Sequence, residues 1–189
     1  MVRRISIAGC AFVAALALAA CGSSGSGVGS PTSTTNPFEN ASWDKATPNP
    51  STSAKMVCSK EAREDIAATL GIEAKKVTKP RWVRKDHLYS CAYVYPRGKI
   101  VLSVKELSSG TETTNYFNSI KHKYGATQDL KGMGQGAWVL KNSDVVVRKD
   151  YKVLLVDVTG IPERLVPAMR RSDVAVSIGA VIMSCWTGA

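Results

Sequence analysis

Apolar residues between positions 59 and 185 recur with periods that define secondary structure. Ala62, Ile66, Ala67 and Leu70 fall at helical spacing behind Ser59, which can cap an N-terminus, with Glu61, Glu64 and Asp65 early and Gly71 at the end. That pattern predicts a helix over 59–70. From 88 to 95 the period drops to two: Tyr89, Cys91, Tyr93 and Tyr95 share one face, and Leu88, Ala92 and Val94 share the other. A Pro96-Arg97-Gly98 turn leads into an apolar strand over 100–107, which together read as a hairpin. A weaker strand, interrupted by Pro80, is expected over 76–83.

Tyr116, Phe117, Ile120 and Tyr124 mark a second helix over 111–124, ended by Gly125. Strands are expected over 137–140, 144–148 and 151–159. A last helix over 172–185 carries Val174, Ala175, Ile178, Val181, Ile182 and Cys185 on one stripe, with Ser172 as its cap. Short connections imply antiparallel pairing, because parallel strands need long crossovers. The expected fold class is α+β: an antiparallel sheet of about five to six strands with three helices packed on it. One globular domain over 56–189 accommodates it. Residues 21–55 are dense in Gly, Ser, Thr, Pro and Asn, cannot bury enough apolar surface to offset chain entropy, and read as a disordered tether. Phe38 and Trp43 are unusual in such a segment.

The start of the chain has a different pattern. Arg3 and Arg4 precede an apolar run from Ile5 to Ala20, and Leu18-Ala19-Ala20-Cys21 closes it. The run is shorter than the ~20 residues that span a bilayer, so residues 1–20 read as a secretory signal. The ending resembles the lipobox of bacterial lipoproteins, which implies cleavage before Cys21 and diacylglycerol on its sulfur. The alternative is a plain signal cut after Ala20. Lipidation places the protein on the outer, extracytoplasmic face of the cell membrane, and two acyl chains hold far better than one. General secretion fits the residues after Arg4 better than twin-arginine export.

The formal charge of +10 becomes +8 without Arg3 and Arg4. On an outer face that favours anionic headgroups or acidic wall polymers, although a basic surface also serves solubility alone. The densest cluster is Lys75, Lys76, Lys79, Arg81, Arg84 and Lys85, with Trp82 inside it. In a cytosolic protein it would point to nucleic acid; export removes that partner. Arg81, Trp82, Arg84 and Lys85 are the anionic-contact candidates, and a solvated edge strand is the plain alternative.

Five cysteines divide by position. Cys10 leaves with the signal, and Cys21 is the lipid site. Cys58, Cys91 and Cys185 remain where disulfides persist. One bond and one free thiol is the simplest arrangement; Cys58–Cys91 is preferred, with Cys58–Cys185 as rival.

Catalytic and metal patterns are weak. Gly132-Met133-Gly134-Gln135-Gly136 leads into a strand rather than a helix, so it lacks the context of a phosphate loop and reads as a flexible loop. His87 and His122 stand alone, without a Cys or His at metal-ligand spacing. No Gly-x-Ser-x-Gly elbow or paired carboxylates are readable. No metal, cofactor or catalytic residue is expected from these patterns.

Val57-Cys58-Ser59, Leu70-Gly71, Tyr89-Ser90-Cys91-Ala92-Tyr93, Gly132-Met133-Gly134 and Cys185-Trp186-Thr187-Gly188 together resemble secreted actinobacterial lipoproteins of an uncharacterised domain class. The resemblance spans nearly the whole mature domain and implies a Gram-positive host with a mycolate or peptidoglycan wall. It brings no catalytic residues. The expected function is a non-enzymatic binding module at the cell envelope, for a protein partner or an amphiphilic or anionic molecule. In the second case a cleft between helix and sheet is expected, with the basic cluster at its mouth. The competing classes are an envelope enzyme, with a carboxylate brought near His87 or His122 by folding, and a purely structural surface protein without a pocket.

Overall fold

The computed structural model describes residues 45–186; Cys21, Phe38 and Trp43 lie outside them. The fold is α+β. In chain order it comprises α1 (Thr52–Met56), α2 (Lys60–Leu70), β1 (Lys76–Val77), β2 (Arg81–Val83), β3 (Leu88–Tyr95), β4 (Gly98–Glu106), α3 (Gly110–Tyr124), β5 (Ala126–Asp129), β6 (Gly136–Leu140), β7 (Val145–Lys149), β8 (Lys152–Asp157) and α4 (Arg171–Cys185). One turn of 3-10 helix at Arg84–Asp86 joins β2 to β3. The strands form one sheet in the order β1-β3-β4-β8-β7-β6-β5, with β2 also on β3, and the pairings are antiparallel.

Eight strands replace the expected five to six, and four helices the expected three. The 76–83 segment divides into β1 and β2 on either side of Pro80, which cannot donate to the ladder. β5 has the sequence Ala-Thr-Gln-Asp and is mostly exposed at the sheet edge, so it shows no apolar alternation. α1 is a single turn capped by Ser51, whose hydroxyl accepts the Ala54 N–H at 3.1 Å. Ser59 caps α2 by accepting the Ala62 N–H. α4 starts one residue before Ser172; its first turn is held instead by Asp173, whose carboxylate accepts the Arg170 N–H at 3.0 Å.

The pleat sorts side chains into two cores. On one face, Trp82, Tyr89, Val104, Leu154, Val147 and Ala137 stand opposite one another across six strands. With the row Cys91–Leu102–Val156–Val145–Val139 they form the main core, which includes Ile66 and Leu70 of α2 and Val174, Ile178 and Ile182 of α4. The row behind them reads Arg81, Ser90, Ser103, Leu155, Val146, Trp138. Its change from polar to apolar at β8 marks where α3 covers the sheet: Phe117 and Ile120 pack there with Val146, Val153 and Leu140. Burying such side chains contributes ~25 cal/mol per Å² of apolar surface.

The Cys58–Cys91 disulfide joins the entrance of α2 to β3, with Cα atoms 6.0 Å apart. Cys185 is a free thiol, half-buried and 3.9 Å from a carboxylate oxygen of Asp65. Burial and that carboxylate both raise its pKa. Among the described residues no helix is long and apolar enough to cross a membrane.

Candidate functional site

Residues 45–57 are the first piece of the site, and composition alone placed nearly all of them in the tether. The structure folds this stretch down as a strap. Ala46 donates its N–H to the Leu107 carbonyl at 3.0 Å. The Trp82 indole N–H donates to the Pro48 carbonyl at 3.0 Å, and His87 Nδ1 lies 3.0 Å from the Thr47 carbonyl. Trp82 and His87 meet edge to face, with ring centres 5.8 Å apart. Farther along, Glu106 Oε1 accepts the Ser51 N–H at 3.0 Å, Ala54 and Val57 are fully buried, and the Trp186 indole donates to the Ser53 carbonyl at 2.9 Å. The Tyr93 hydroxyl donates to the Val57 carbonyl at 2.8 Å. Burial pushes the Tyr93 and Tyr95 hydroxyls up, the latter to about 12, so both are neutral. A strap made of backbone carbonyls and small polar residues has no periodicity to announce it. The signal lay in its partners, two indoles and a buried acid.

The anionic-contact candidates divide at this edge. Arg81, Arg84 and Lys85 are exposed and make no ion pair among the described residues. Arg81 stands opposite Ser90 on the open face of the sheet. Trp82 stands on the other face, half-buried against the main core and bonded to the strap. Structurally it is a latch beneath the cations.

The opposite sheet edge carries the glycine loop between β5 and β6. It was expected to be flexible, yet hydrogen bonds pin it: Gln135 N–H to the Arg148 carbonyl at 2.8 Å, Met133 N–H to Leu130 at 3.3 Å, and Arg148 Nη2 to the Gln135 carbonyl at 3.2 Å. Gly134 is required there. Its φ is +61°, and a Cβ would stand 2.6 Å from the Arg148 carbonyl oxygen. The loop separates two hollows. One, of about 590 Å³, lies between the loop, the β7–β8 turn and the last turns of α4, with Met133, Ala180 and Met183 as apolar lining and Lys131 and Lys149 at its rim. The other, of about 380 Å³, lies toward α3 over Phe117, Trp138 and Arg148. A cleft between helix and sheet is therefore present. The Arg81–Lys85 cluster is not at its mouth: that cluster borders β3 at the other end of the strand order, and different lysines take its place. Lys131, Lys149 and Met183 were not singled out in the sequence, because each belongs to a different element, and Met133 was read only as part of the glycine loop.

His87 faces the strap, and His122 is exposed in the last turn of α3. Neither lines the two hollows. Among the described residues no three His, Cys, Asp or Glu side chains are grouped to hold a metal. No family model, curated protein or solved structure matches this chain.

Proposed function

We propose that this chain is a lipoprotein anchored through Cys21 to the outer face of the cell membrane, and that its domain is a non-enzymatic binding module whose basic edge meets anionic envelope lipid. The observation that carries the reading is the strap. The chain enters the described residues at Lys45, and its next residues are bonded through Thr47 and Pro48 to the edge that holds Arg81, Arg84 and Lys85. In this reading the segment that leads from Cys21 reaches the domain beside these cations. Each Lys or Arg near an anionic surface contributes about 1 kcal/mol, and salt weakens the attraction. Trp82 serves as a positioning residue, since its indole holds the strap under these side chains. The Cys58–Cys91 bond suits an oxidising compartment.

Two measurements test the two halves of the reading. Growth with a labelled palmitate analogue should mark the wild-type chain and leave Cys21→Ala unmarked; label on the variant rejects the anchor. A secreted form of residues 22–189, which keeps both cores intact, should co-sediment with phosphatidylglycerol–phosphatidylcholine vesicles and not with phosphatidylcholine alone. Replacing Arg81, Arg84 and Lys85 by Glu should weaken that retention by roughly tenfold or more at low salt. Equal retention of the variant removes the membrane-contact role.

A further inference from the structure

The 590 Å³ hollow beside the glycine loop falls in the size range of small-molecule sites, about 300–1,000 Å³. Its apolar lining is Met133, Ala180 and Met183, two of which are unbranched thioethers that adapt to irregular shapes. Among the described residues no aromatic ring lines it, so they offer no platform for a base or a sugar. Among the described residues its only carboxylate is Asp150, which the Gln135 side chain occupies: the Gln135 amide faces Asp150 Oδ1 at 3.5 Å, and Gln135 Oε1 accepts the Asp150 N–H at 3.1 Å. One carboxylate is too few to hold a metal.

Lys131 and Lys149 are the two cations of the lining. Lys149 Nζ donates to the Trp186 carbonyl at 2.8 Å and has two further N–H groups. Lys131 is exposed and pairs with Asp129 at 2.7 Å, an acid that lines the other hollow. Met133 lines both hollows and lies along α4 where Gly179 leaves room; a Cβ at 179 would stand 3.3 Å from its sulfur.

From the methionine floor and the two further N–H groups of the Lys149 ammonium, we infer that this hollow binds a single-chain anionic amphiphile. The acyl chain lies on Met133, Ala180 and Met183, and the headgroup sits at Lys131 and Lys149. The inference is independent of the anchoring reading, since it uses the opposite sheet edge.

The test uses the secreted 22–189 form and isothermal titration below micellar concentrations. The probes are dodecanoate, lysophosphatidylglycerol, neutral dodecyl maltoside and cationic dodecyltrimethylammonium. One equivalent of an anionic probe should bind, and the neutral and cationic probes should bind at least about tenfold more weakly. Preference between the carboxylate and phosphate probes identifies the headgroup. Ala180→Trp, at an exposed helix position that lines the hollow, should weaken binding by roughly tenfold or more with an unchanged melting temperature. Lys131→Glu, on a fully solvated side chain, should weaken the anionic probes alone and covers the case in which the Trp variant misfolds. Equal binding of all four probes, or indifference to both substitutions, overturns the proposal. The Arg81→Glu, Arg84→Glu, Lys85→Glu variant should bind dodecanoate normally, so vesicle retention and amphiphile binding fail separately.

Discussion

Along the β1–β3 edge the cations are free and the backbone under them is fixed. Arg81, Arg84 and Lys85 have no ion-pair partners among the described residues, while the strap, Trp82 and the Cys58–Cys91 bond hold the elements beneath. Along the β5–β6 edge the arrangement is reversed. Lys131 and Arg148 are engaged, with Asp129 and with Thr114 Oγ1 and Gln135, and hollows open beside them. A display of unpaired charge on a rigid rim suits a large, flat partner such as a lipid surface. Paired charges around an apolar recess suit a small one, because the engaged side chains are already positioned and lose less freedom on binding. In the two proposals one sheet serves two kinds of contact at its two edges, and substitutions at one edge should leave the other unaffected.

The largest effect belongs to the disulfide. It closes a separation of 33 residues between the strap side and β3, so Cys58→Ala with Cys91→Ala should cost about 3–4 kcal/mol in the chain-entropy account. A melting point lower by roughly 10 °C in calorimetry follows. Cys185→Ala, which removes a half-buried thiol outside the bond, should cost under about 1 kcal/mol. A large loss for Cys185→Ala and none for Cys91→Ala alone would return the pairing to its rival, Cys58–Cys185.

Next comes the latch. Trp82→Ala removes a half-buried indole and its bond to Pro48, at an expected cost of about 2 kcal/mol. Hydrogen exchange should show faster exchange at Ala46 and Ser51, the strap amides bonded to Leu107 and Glu106. Charge reversal at Arg81, Arg84 and Lys85 should change stability by less than about 0.5 kcal/mol. If Trp82→Ala leaves strap exchange untouched, the strap is held by Glu106 and Trp186 instead, and the fixed-rim half of the comparison fails.

The elements most legible in the sequence were those with strong periods. The alternation of Tyr89, Cys91, Tyr93 and Tyr95 identified β3 and its buried face, and Ser59 with Gly71 bracketed α2. The strap and β5 were illegible for one reason: their bonds run through backbone and polar groups, whose partners are distant in sequence. The basic residues could be read as a cluster, but strand register alone turns Trp82 to the opposite face from Arg81. The glycines could be read as a loop, but only the approach of Gly134 to Arg148 shows that the loop is fixed. The rim of the hollow needs β7, α4 and the loop together, a convergence that no local spacing encodes.

The smallest effect tests the interior of the β5–β8 half. Asp144 sits in the β6–β7 turn with 4% of its surface exposed, and burial raises its carboxyl from 3.8 to about 6. Neutral donors partly oppose the shift: the Val158 N–H at 2.8 Å and the Asn142 amide at 2.6 Å. Asp157 adds to it, and Arg171 opposes it. Between these two pKa values the folded chain keeps a proton that the unfolded chain has released. Stability from this group is therefore full below pH 3.8 and falls as pH rises toward 6. Complete shielding would make this ~3 kcal/mol, and solvent at the turn reduces it to about 1–2 kcal/mol. Asn keeps an acceptor for the Val158 amide and cannot ionise. Urea denaturation at pH 4, 5 and 6.5 should thus show Asp144→Asn gaining on the wild type as pH rises. Parallel curves would mean that Asp144 is solvated in the native state. A converging pair would place the pH-sensitive stability of the fold beside β7 and β8, with the strap edge unaffected.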